Sequence, residues 1–226
     1  MDPIRVPGLA APVSLRRSAR ARRMTLRVGR TDGAVTLTLP PGMAEAEARA
    51  FVAGHADWVA RQVAAAPPPR RAAVGETLPV LGREVPVVAG PGRAARWTGD
   101  AIAAPPDRTG PRVAALLREM ARSHAVAAVD RHAEALGRAP GRITLRDTRS
   151  RWGSCTARGD VMLSWRLVMA PPEVLDYVAA HEVAHLAHMD HSPRFWACLE
   201  GLLPGHAPLR AWLRREGAAL QAIDFS

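Results

Sequence analysis

His181 and His185 enclose the motif His-Glu-Val-Ala-His, in which three residues separate two histidines. On an α-helix, residues four apart lie on the same face, one turn apart, so the two imidazoles can bind one metal ion. Glu182 is rotated by about 100° from His181 and can reach a metal-bound water rather than the metal. Zinc peptidases use this arrangement to position a general base. The motif therefore predicts a zinc site with Glu182 as the catalytic base.

A third ligand is expected because catalytic zinc sites use three protein ligands and keep one position open. His188 shares the helical face, but it would lie about 10 Å along the helix axis from His181, too far for one ion. His191 lies between Asp190 and Ser192-Pro193, residues that are typical of the end of one helix and the start of another. The chain can turn back there. We therefore predict that His191 is the third ligand and that His188 flanks the site.

Two further side chains are candidates for contact with the substrate. Tyr177 lies one helical turn before the first histidine, so it could stabilise a developing oxyanion or simply pack. The segment Ser150–Cys155 could line the cleft as an edge strand, with Arg151 meeting the substrate. Alternatively, Trp152 packs in the core and Gly153 allows a bulge. Both interpretations of this segment stay open.

The elements that must position these residues follow from the apolar pattern of the second half of the chain. Gly137 is typical of a helix C-terminus, and Pro171-Pro172 is typical of a helix start. Helices are predicted over Arg112–Leu136, from Pro172 to about Met189, over Arg194–Leu203 and over Pro208–Leu220. Strands are predicted around Ile143 and Leu145, and along Val161, Leu163 and Trp165.

The pattern of the first half of the chain predicts mostly β-strands. Alternating apolar residues from Met24 to Val28 and from Val35 to Leu39 predict a hairpin around Asp32-Gly33. A helix is predicted from about Ala44 to Ala65, followed by strands over Thr77–Leu81, over Glu84–Val88 and near Trp97–Ala103. The clearest boundary is the proline- and glycine-rich stretch 105–111. We therefore expect an N-terminal region over residues 1–108 and a catalytic domain over 109–226.

Composition favours a folded intracellular protein. The 226 residues carry a formal net charge of +10, and all 31 basic residues are arginine. Such a surface attracts anions, including nucleic acid and nucleotides, although a solvated basic face is the simpler interpretation. Cys155 and Cys198 do not form a disulfide framework, and neither a secretory pattern nor a membrane-spanning run is evident. We therefore expect a cytoplasmic location and no membrane partner.

Several segments together resemble the YgjP-like metallopeptidase family. They are Arg149–Cys155, Leu163–Leu167, Asp176–Val178, His181–Leu186 and His191–Trp196. The order is similar along most of the chain, including the N-terminal hairpin and the helix that carries Trp58. The stretch His-Ser-Pro-Arg-Phe-Trp is also similar to the end of the SprT-like zinc site, whose third histidine lies in a His-Gly-Pro-x-Phe context.

The resemblance implies an α+β fold with a zincin-like catalytic domain of gluzincin or SprT-like type. In such a domain a small sheet packs on the active-site helix, here preceded by a β-rich N-terminal region with one helix. The resemblance also implies Zn²⁺, with His191 as a ligand and Glu182 as the base. Although the histidine spacing matches the metzincins, His188 stands where they need glycine, and no methionine follows Met189 for a Met-turn.

Three functional hypotheses follow. The first is a zinc-dependent metallopeptidase that acts on peptide or protein substrates. The second is a metal-dependent nucleoside triphosphate pyrophosphohydrolase acting on UTP-type nucleotides, an activity that the resemblance also implies; the many arginines suit phosphate, but no Walker loop is present. The third is a non-catalytic, zinc-containing protein associated with nucleic acid, for which a fourth ligand is not evident.

Overall fold

Two separate hydrophobic cores organise this α+β chain, and a computed structural model describes them over residues 3–226. The chain divides into two units between Pro69 and Arg70. The predicted boundary at residues 108 and 109 lies inside the second unit. Apolar residues on both sides of that boundary, such as Ile102 and Val113, are buried in the same core. The proline-rich stretch at 105–111 is therefore a connection within one unit.

The first unit contains a three-stranded sheet of β1 (Val13–Arg17), β2 (Thr25–Val28) and β3 (Val35–Leu39) in the order β1-β3-β2. Strands β2 and β3 pair antiparallel, which confirms the predicted hairpin. Strand β1 was not predicted; it pairs parallel with β3. The alternating side chains of β3 are buried at one face of this sheet, as their pattern indicated.

Two short helices, α1 (Glu45–Ala53) and α2 (Ala56–Ala64), follow where one helix was predicted. The prediction of a continuous helix was wrong because the chain breaks at Gly54 and His55. The ring Nδ1 of His55 lies 2.8 Å from the Phe51 carbonyl oxygen, and the backbone N–H of His55 bonds the Val52 carbonyl instead. Glycine also costs helical stability relative to other residues.

The second unit begins with a sheet of four short strands. These are β4 (Thr77–Val80), β5 (Arg83–Ala89), β6 (Arg96–Trp97) and β7 (Ile102–Ala104), in the order β4-β5-β7-β6. The single strand predicted near Trp97–Ala103 is thus two strands that pair antiparallel across a turn. Helix α3 (Thr109–Leu136) comes next and ends at Gly137, whose φ of 69° is the left-handed conformation that glycine adopts readily.

A smaller sheet carries the segments nearest to the histidine motif. It consists of β8 (Ile143–Arg146), β9 (Gly153–Cys155) and β10 (Val161–Ser164) in the order β8-β10-β9. Strand β10 pairs parallel with β8 and antiparallel with β9. Strand β9 therefore forms one edge of this sheet, as the first interpretation of residues 150–155 expected. Trp152 nevertheless packs against the core, as the second one proposed.

Trp165 does not extend the strand as predicted. Strand β10 ends at Ser164, and a short 3-10 helix covers Trp165–Met169. Within this 3-10 helix, Trp165 is only 1% exposed and contacts Phe225 edge-to-face at 5.2 Å. The neighbouring Arg166 is buried as well; it pairs with Asp147 and donates to the carbonyl oxygens of residues 220 and 223. Arg166 is therefore a structural arginine.

Three further helices complete the unit: α4 (Pro172–Ala184), α5 (Pro193–Leu202) and α6 (Ala207–Ala222). Helix α4 lies at the centre and packs against α3, α5, α6 and the small sheet. It ends earlier than the predicted Met189, because the N–H groups of residues 186 to 188 all bond carbonyls of residues 183 and 184 in a tight turn. Among residues 3–226, no helix combines the length and apolarity that crossing a membrane requires.

Candidate metal centre

The last turn of α4 positions the first two histidines of the motif. His181 and His185 lie one turn apart, and their ring centroids are 5.1 Å apart. The helix is buried on most of its surface, with Val174, Val178 and Val183 all at most 3% exposed. Burial on several sides holds the helix against its neighbours and leaves the two imidazoles little freedom to separate.

The turn after α4 brings the third histidine back to the first two. His191 Nε2 lies 3.1 Å from His181 Nε2, and ring nitrogens of His181, His185 and His191 all lie within 4.8 Å of one another. Asp190 stabilises the return of the chain by accepting the Ser192 N–H at 3.2 Å, and Pro193 then begins α5. The early end of α4 is what makes this return possible.

Hydrogen bonding selects the ring nitrogen with which His185 can bind a metal. Its Nδ1 lies 2.9 Å from the His188 carbonyl oxygen, so Nδ1–H donates and Nε2 keeps a free lone pair. Metal-ligating histidines commonly bond a backbone carbonyl through the other ring nitrogen. His188 thus contributes through its backbone carbonyl, and its imidazole is not part of the cluster of three.

Burial favours the neutral form of two of the imidazoles, those of His181 and His185. It lowers the pKa of His181 to about 3, with the positive charges that His185 and His191 would carry as smaller causes. Burial also lowers the pKa of His185. Neutral imidazole is the form that binds a metal, and three nitrogen donors suit Zn²⁺. With Zn–N bonds of about 2.0–2.1 Å, ligand nitrogens of a tetrahedral site lie about 3.3 Å apart, near the closest pair here. The donor set fits such an ion.

Aromatic rings form the wall behind the three histidines. The Phe195 ring lies 4.9, 4.5 and 4.8 Å from the rings of His181, His185 and His191, and it is fully buried. Nδ1 of His181 is buried and has no hydrogen-bond partner within residues 3–226, so packing orients this ring. Sequence analysis gave Phe195 no role, although it belongs to the His-Ser-Pro-Arg-Phe-Trp stretch.

Glu182 points toward the edge strand of the small sheet. Its side chain lies against Gly153, where a Cβ atom would come within 2.4 Å of Glu182 Oε1. Glu182 is only 5% exposed, and burial raises its pKa to about 8 against the opposing charge of Arg151. The carboxyl group is therefore enclosed beside the histidine cluster and titrates near neutral pH in the absence of a metal ion.

The two predicted substrate contacts lie in different surroundings. Arg151 is exposed at the start of β9, and its charge favours ionised Glu182. Tyr177 is 5% exposed, with its ring 6.0 Å from the His181 ring, and burial raises the pKa of its hydroxyl. The structure places Tyr177 in the packed wall of the site; substrate contact stays a prediction for both residues.

His206 also belongs to the wall of the site. Its ring stacks between Tyr177 and Trp196, at 5.8 and 6.0 Å with interplanar angles of 7° and 8°. Its Nδ1 lies 2.9 Å from Glu200 Oε2, and the Arg210 guanidinium lies over the Trp196 ring, 4.6 Å from its centroid. No spacing rule links position 206 to the histidine motif, so the sequence alone does not predict that His206 lies at the site.

Cys155 lies on β9 near Glu182 but does not provide a nucleophile. Burial, followed by the negative charges of Glu182 and Asp160, raises the pKa of its thiol to about 11. A thiolate, the reactive form, is therefore not populated near neutral pH.

Comparison with known proteins relates this centre to a described domain. The YgjP-like metallopeptidase domain matches residues 22–216. No curated protein matches the chain. Among solved structures, the chain is similar to the metallopeptidase zymogen abylysin of Pyrococcus abyssi, at 21% identity over 40% of this chain and 93% of that one, with a TM-score of 0.36. Because the family match spans most of the chain, the chain belongs to the YgjP-like family of metallopeptidase domains and is a metal-dependent hydrolase.

Proposed function

We propose that the chain is a zinc-dependent peptidase in which His181, His185 and His191 hold the metal and Glu182 is the general base. The observation that carries this proposal is the convergence of three ring nitrogens within 4.8 Å, next to an enclosed carboxyl group. Four-ligand structural zinc sites usually include cysteine. Within residues 3–226 the cluster contains three histidines and no fourth group, which favours an open catalytic site.

Zinc held by the three histidines would lower the pKa of a bound water toward about 7 and polarise the substrate oxygen. Glu182 takes the proton of the attacking water and returns it to the leaving amine. Its carboxyl group is excluded from bulk water, which strengthens its interaction with the water proton. Arg151 favours the ionised form that must act as the base.

The edge strand supports a peptide as the substrate. Strand β9 has β10 as its only neighbour among the described strands, so its other side offers unpaired backbone groups. An extended peptide can pair with such an edge through backbone hydrogen bonds. Because Gly153 of β9 touches Glu182, a peptide bound there would pass the base directly. This geometry favours an extended, unfolded polypeptide segment as the substrate.

Two variants test the proposal on unfolded casein. We expect Glu182→Gln to keep about one zinc per chain and to lower kcat/KM by about 10²–10⁴, the usual contribution of a general base. His191→Ala should lose most of the bound zinc as well as the activity. Zinc is measured by elemental analysis of protein prepared without chelator. Full activity of Glu182→Gln, or full zinc content of His191→Ala, would contradict these assignments.

A second candidate activity, hydrolysis of nucleoside triphosphates, is favoured by one observation. Arg138 and Arg158 line a cavity of about 410 Å³ together with His185. Guanidinium groups bind phosphate oxygens in pairs of hydrogen bonds. If this candidate is correct, the protein hydrolyses UTP and leaves casein intact, the hydrolysis stops when a chelator is added, and Arg158→Gln raises KM for the nucleotide.

A further inference from the structure

The small sheet has a basic outer face, here named the basic trough. Four arginines line it, Arg142, Arg146, Arg151 and Arg158, around a depression of about 910 Å³. The floor is the row of paired residues Thr144, Met162 and Ser154, one from each strand. The trough thus spans the whole width of the sheet.

The trough lies on the face of the sheet opposite α4. Successive side chains of a strand point to opposite faces. Val161 and Leu163 of β10 are fully buried in the core, so Met162 between them points outward. Gly153 of β9 likewise faces Glu182, so Ser154 points outward. Most of the trough therefore lies on the face away from the histidine cluster; only Thr156 and Arg158, at its rim, also line the cavity beside His185.

The positive charge of the trough is not neutralised by the protein. Elsewhere in the described chain, arginines 49, 70, 112, 131, 166 and 215 each form an ion pair with a carboxylate. None of the four trough arginines does so within residues 3–226, although Arg151 interacts electrostatically with Glu182. Asp160 is the one acidic residue in the lining, and its Oδ1 accepts the backbone N–H of Arg142.

The spacing of these charges favours a ligand of high charge density. Arg142 and Arg146 lie about 13 Å apart along β8 at about 3.3 Å per residue, and the sheet is about 10 Å wide. In duplex DNA each strand carries a charge about every 3.4 Å of helix axis, so several phosphates fit across this face. Because successive side chains of an extended peptide point to opposite faces, at most every second residue could place a carboxylate on the trough, about one charge every 6.6 Å.

The chemistry of the lining also suits phosphate. Thr144, Thr148, Ser150, Ser154 and Thr156 interleave with the arginines. Arginine together with serine and threonine hydroxyls makes up much of the contact that proteins form with phosphodiester backbones. Apart from the floor and one buried valine, the trough offers no apolar surface on which peptide side chains could pack.

We propose that the basic trough binds the phosphodiester backbone of a nucleic acid without reading its sequence. This binding is separate from the proposed peptidase activity and does not depend on it. The trough has no aromatic side chain on which bases could stack, so the contacts are to phosphates. Affinity therefore falls steeply with salt and depends little on base composition.

Fluorescence anisotropy with a labelled 20-nucleotide single strand, and with its duplex, tests this proposal. Four phosphate contacts give a slope of log affinity against log salt of about −2.8 for the single strand, or about a 50-fold loss from 50 to 200 mM salt. The variant Arg142→Gln/Arg146→Gln removes two contacts on the strand farthest from β9. We expect its slope to be about −1.4 and its affinity at 200 mM salt to be about tenfold weaker.

The matched control is Arg83→Gln/Arg122→Gln, which removes the same charge from positions outside the trough. It should bind like the unchanged protein; an equal loss in the control would overturn the proposal, because net charge alone would then explain binding. Tighter binding of a polyglutamate of equal length would also overturn it. Circular dichroism and zinc content of the Arg142→Gln/Arg146→Gln variant establish that its fold is intact, and its cleavage of a short uncharged peptide should be unchanged.

Discussion

Residue 153 is glycine, and its lack of a side chain determines how closely β9 approaches Glu182. A Cβ atom there would lie 2.4 Å from Oε1 and 2.6 Å from Cγ of Glu182, so the strand or the Glu182 side chain would have to move. Contacts under 3 Å to both the tip and the stem of a side chain leave no relaxed position for it. Glycine is thus needed at position 153 because no Cβ atom fits beside Glu182. The bulge that one interpretation expected is not its role, since residue 153 pairs in regular register with Leu163.

Gly153→Ala should retain the metal and lose activity. A displacement of about 1 Å near reacting groups can reduce rates by about 10²-fold, so we expect a loss of that order in kcat. Gly201→Ala is the matched control, since a Cβ atom at Gly201 meets nothing within 4 Å. Activity of Gly153→Ala equal to that of the control would show that Glu182 does not act from its observed position.

For individual residues, helical geometry predicted the pairing of His181 with His185, and local turn chemistry predicted the return of His191. The residues that enclose them could not be predicted in this way. Gly153 and His206 reach the site through tertiary packing, across about 30 residues in one direction and 20 in the other. No local period connects such distant positions, so only the fold reveals them.

Helices α3 and α4 are joined by a partly buried polar contact in addition to apolar packing. Asp176 Oδ1 lies 2.8 Å from His132 Nε2 and also pairs with Arg131. His132 is only 4% exposed. Because α4 carries His181 and leads directly into His185, this contact helps to fix the two candidate ligands against the longest helix of the unit.

The Asp176 contact should make stability depend on pH. Burial alone would raise the pKa of Asp176, but the hydrogen bond from His132 and the charges of His132 and Arg131 together hold it below its ordinary 3.8. A lowered pKa in the folded state stabilises the protein above pH 3.8, and this stabilisation is lost as the pH falls through the folded-state pKa. We expect Asp176→Asn to cost about 1–2 kcal/mol at pH 7.

Urea unfolding of Asp176→Asn at several pH values measures this effect. The difference from the unchanged protein should shrink as the pH is lowered below about 3.8. Asp130→Asn makes the same chemical change at an exposed position on α3 and should leave the stability within about 0.5 kcal/mol. A pH-independent difference for Asp176→Asn would mean that its charge contributes nothing.

Most elements could be predicted from periodicity, but several of their ends could not. The alternating apolar residues of β2, β3 and β10 and the long apolar pattern of α3 were sufficient to predict that these elements exist. The break at His55 depends on a side chain that bonds a carbonyl of the preceding turn, and the end of α4 depends on the His185–His188 bond. Both ends depend on particular hydrogen bonds, which the spacing of apolar residues cannot predict.

At the scale of the whole molecule, the two units have separate cores, and the candidate centre belongs to the second. One core is built from residues between Ile4 and Val63, the other from residues between Ala72 and Phe225. Composition placed the boundary at the proline- and glycine-rich stretch 105–111. The structure places it at the preceding alanine- and proline-rich segment, because burial, rather than local composition, defines a unit.

A fragment covering residues 70–226 should therefore fold and bind about one zinc per chain. It must begin at Arg70, which pairs with Glu84, and it retains the bridge between Arg71 and Asp224. Elemental analysis and thermal unfolding monitored by circular dichroism are the measurements, with the same fragment carrying His191→Ala as the control without metal. A fragment that lacks a cooperative transition would show that the second core is not sufficient by itself.

The position of Trp196 has a practical consequence for following the metal. Its indole lies 5.8 Å from the His191 ring and 6.1 Å from the His181 ring. Zinc is a d¹⁰ ion and gives no colour of its own. A paramagnetic Co²⁺ or Cu²⁺ ion held by the same nitrogens would quench the indole emission at this range. The protein thus contains an intrinsic optical probe whose brightness reports occupancy in real time, without any attached dye.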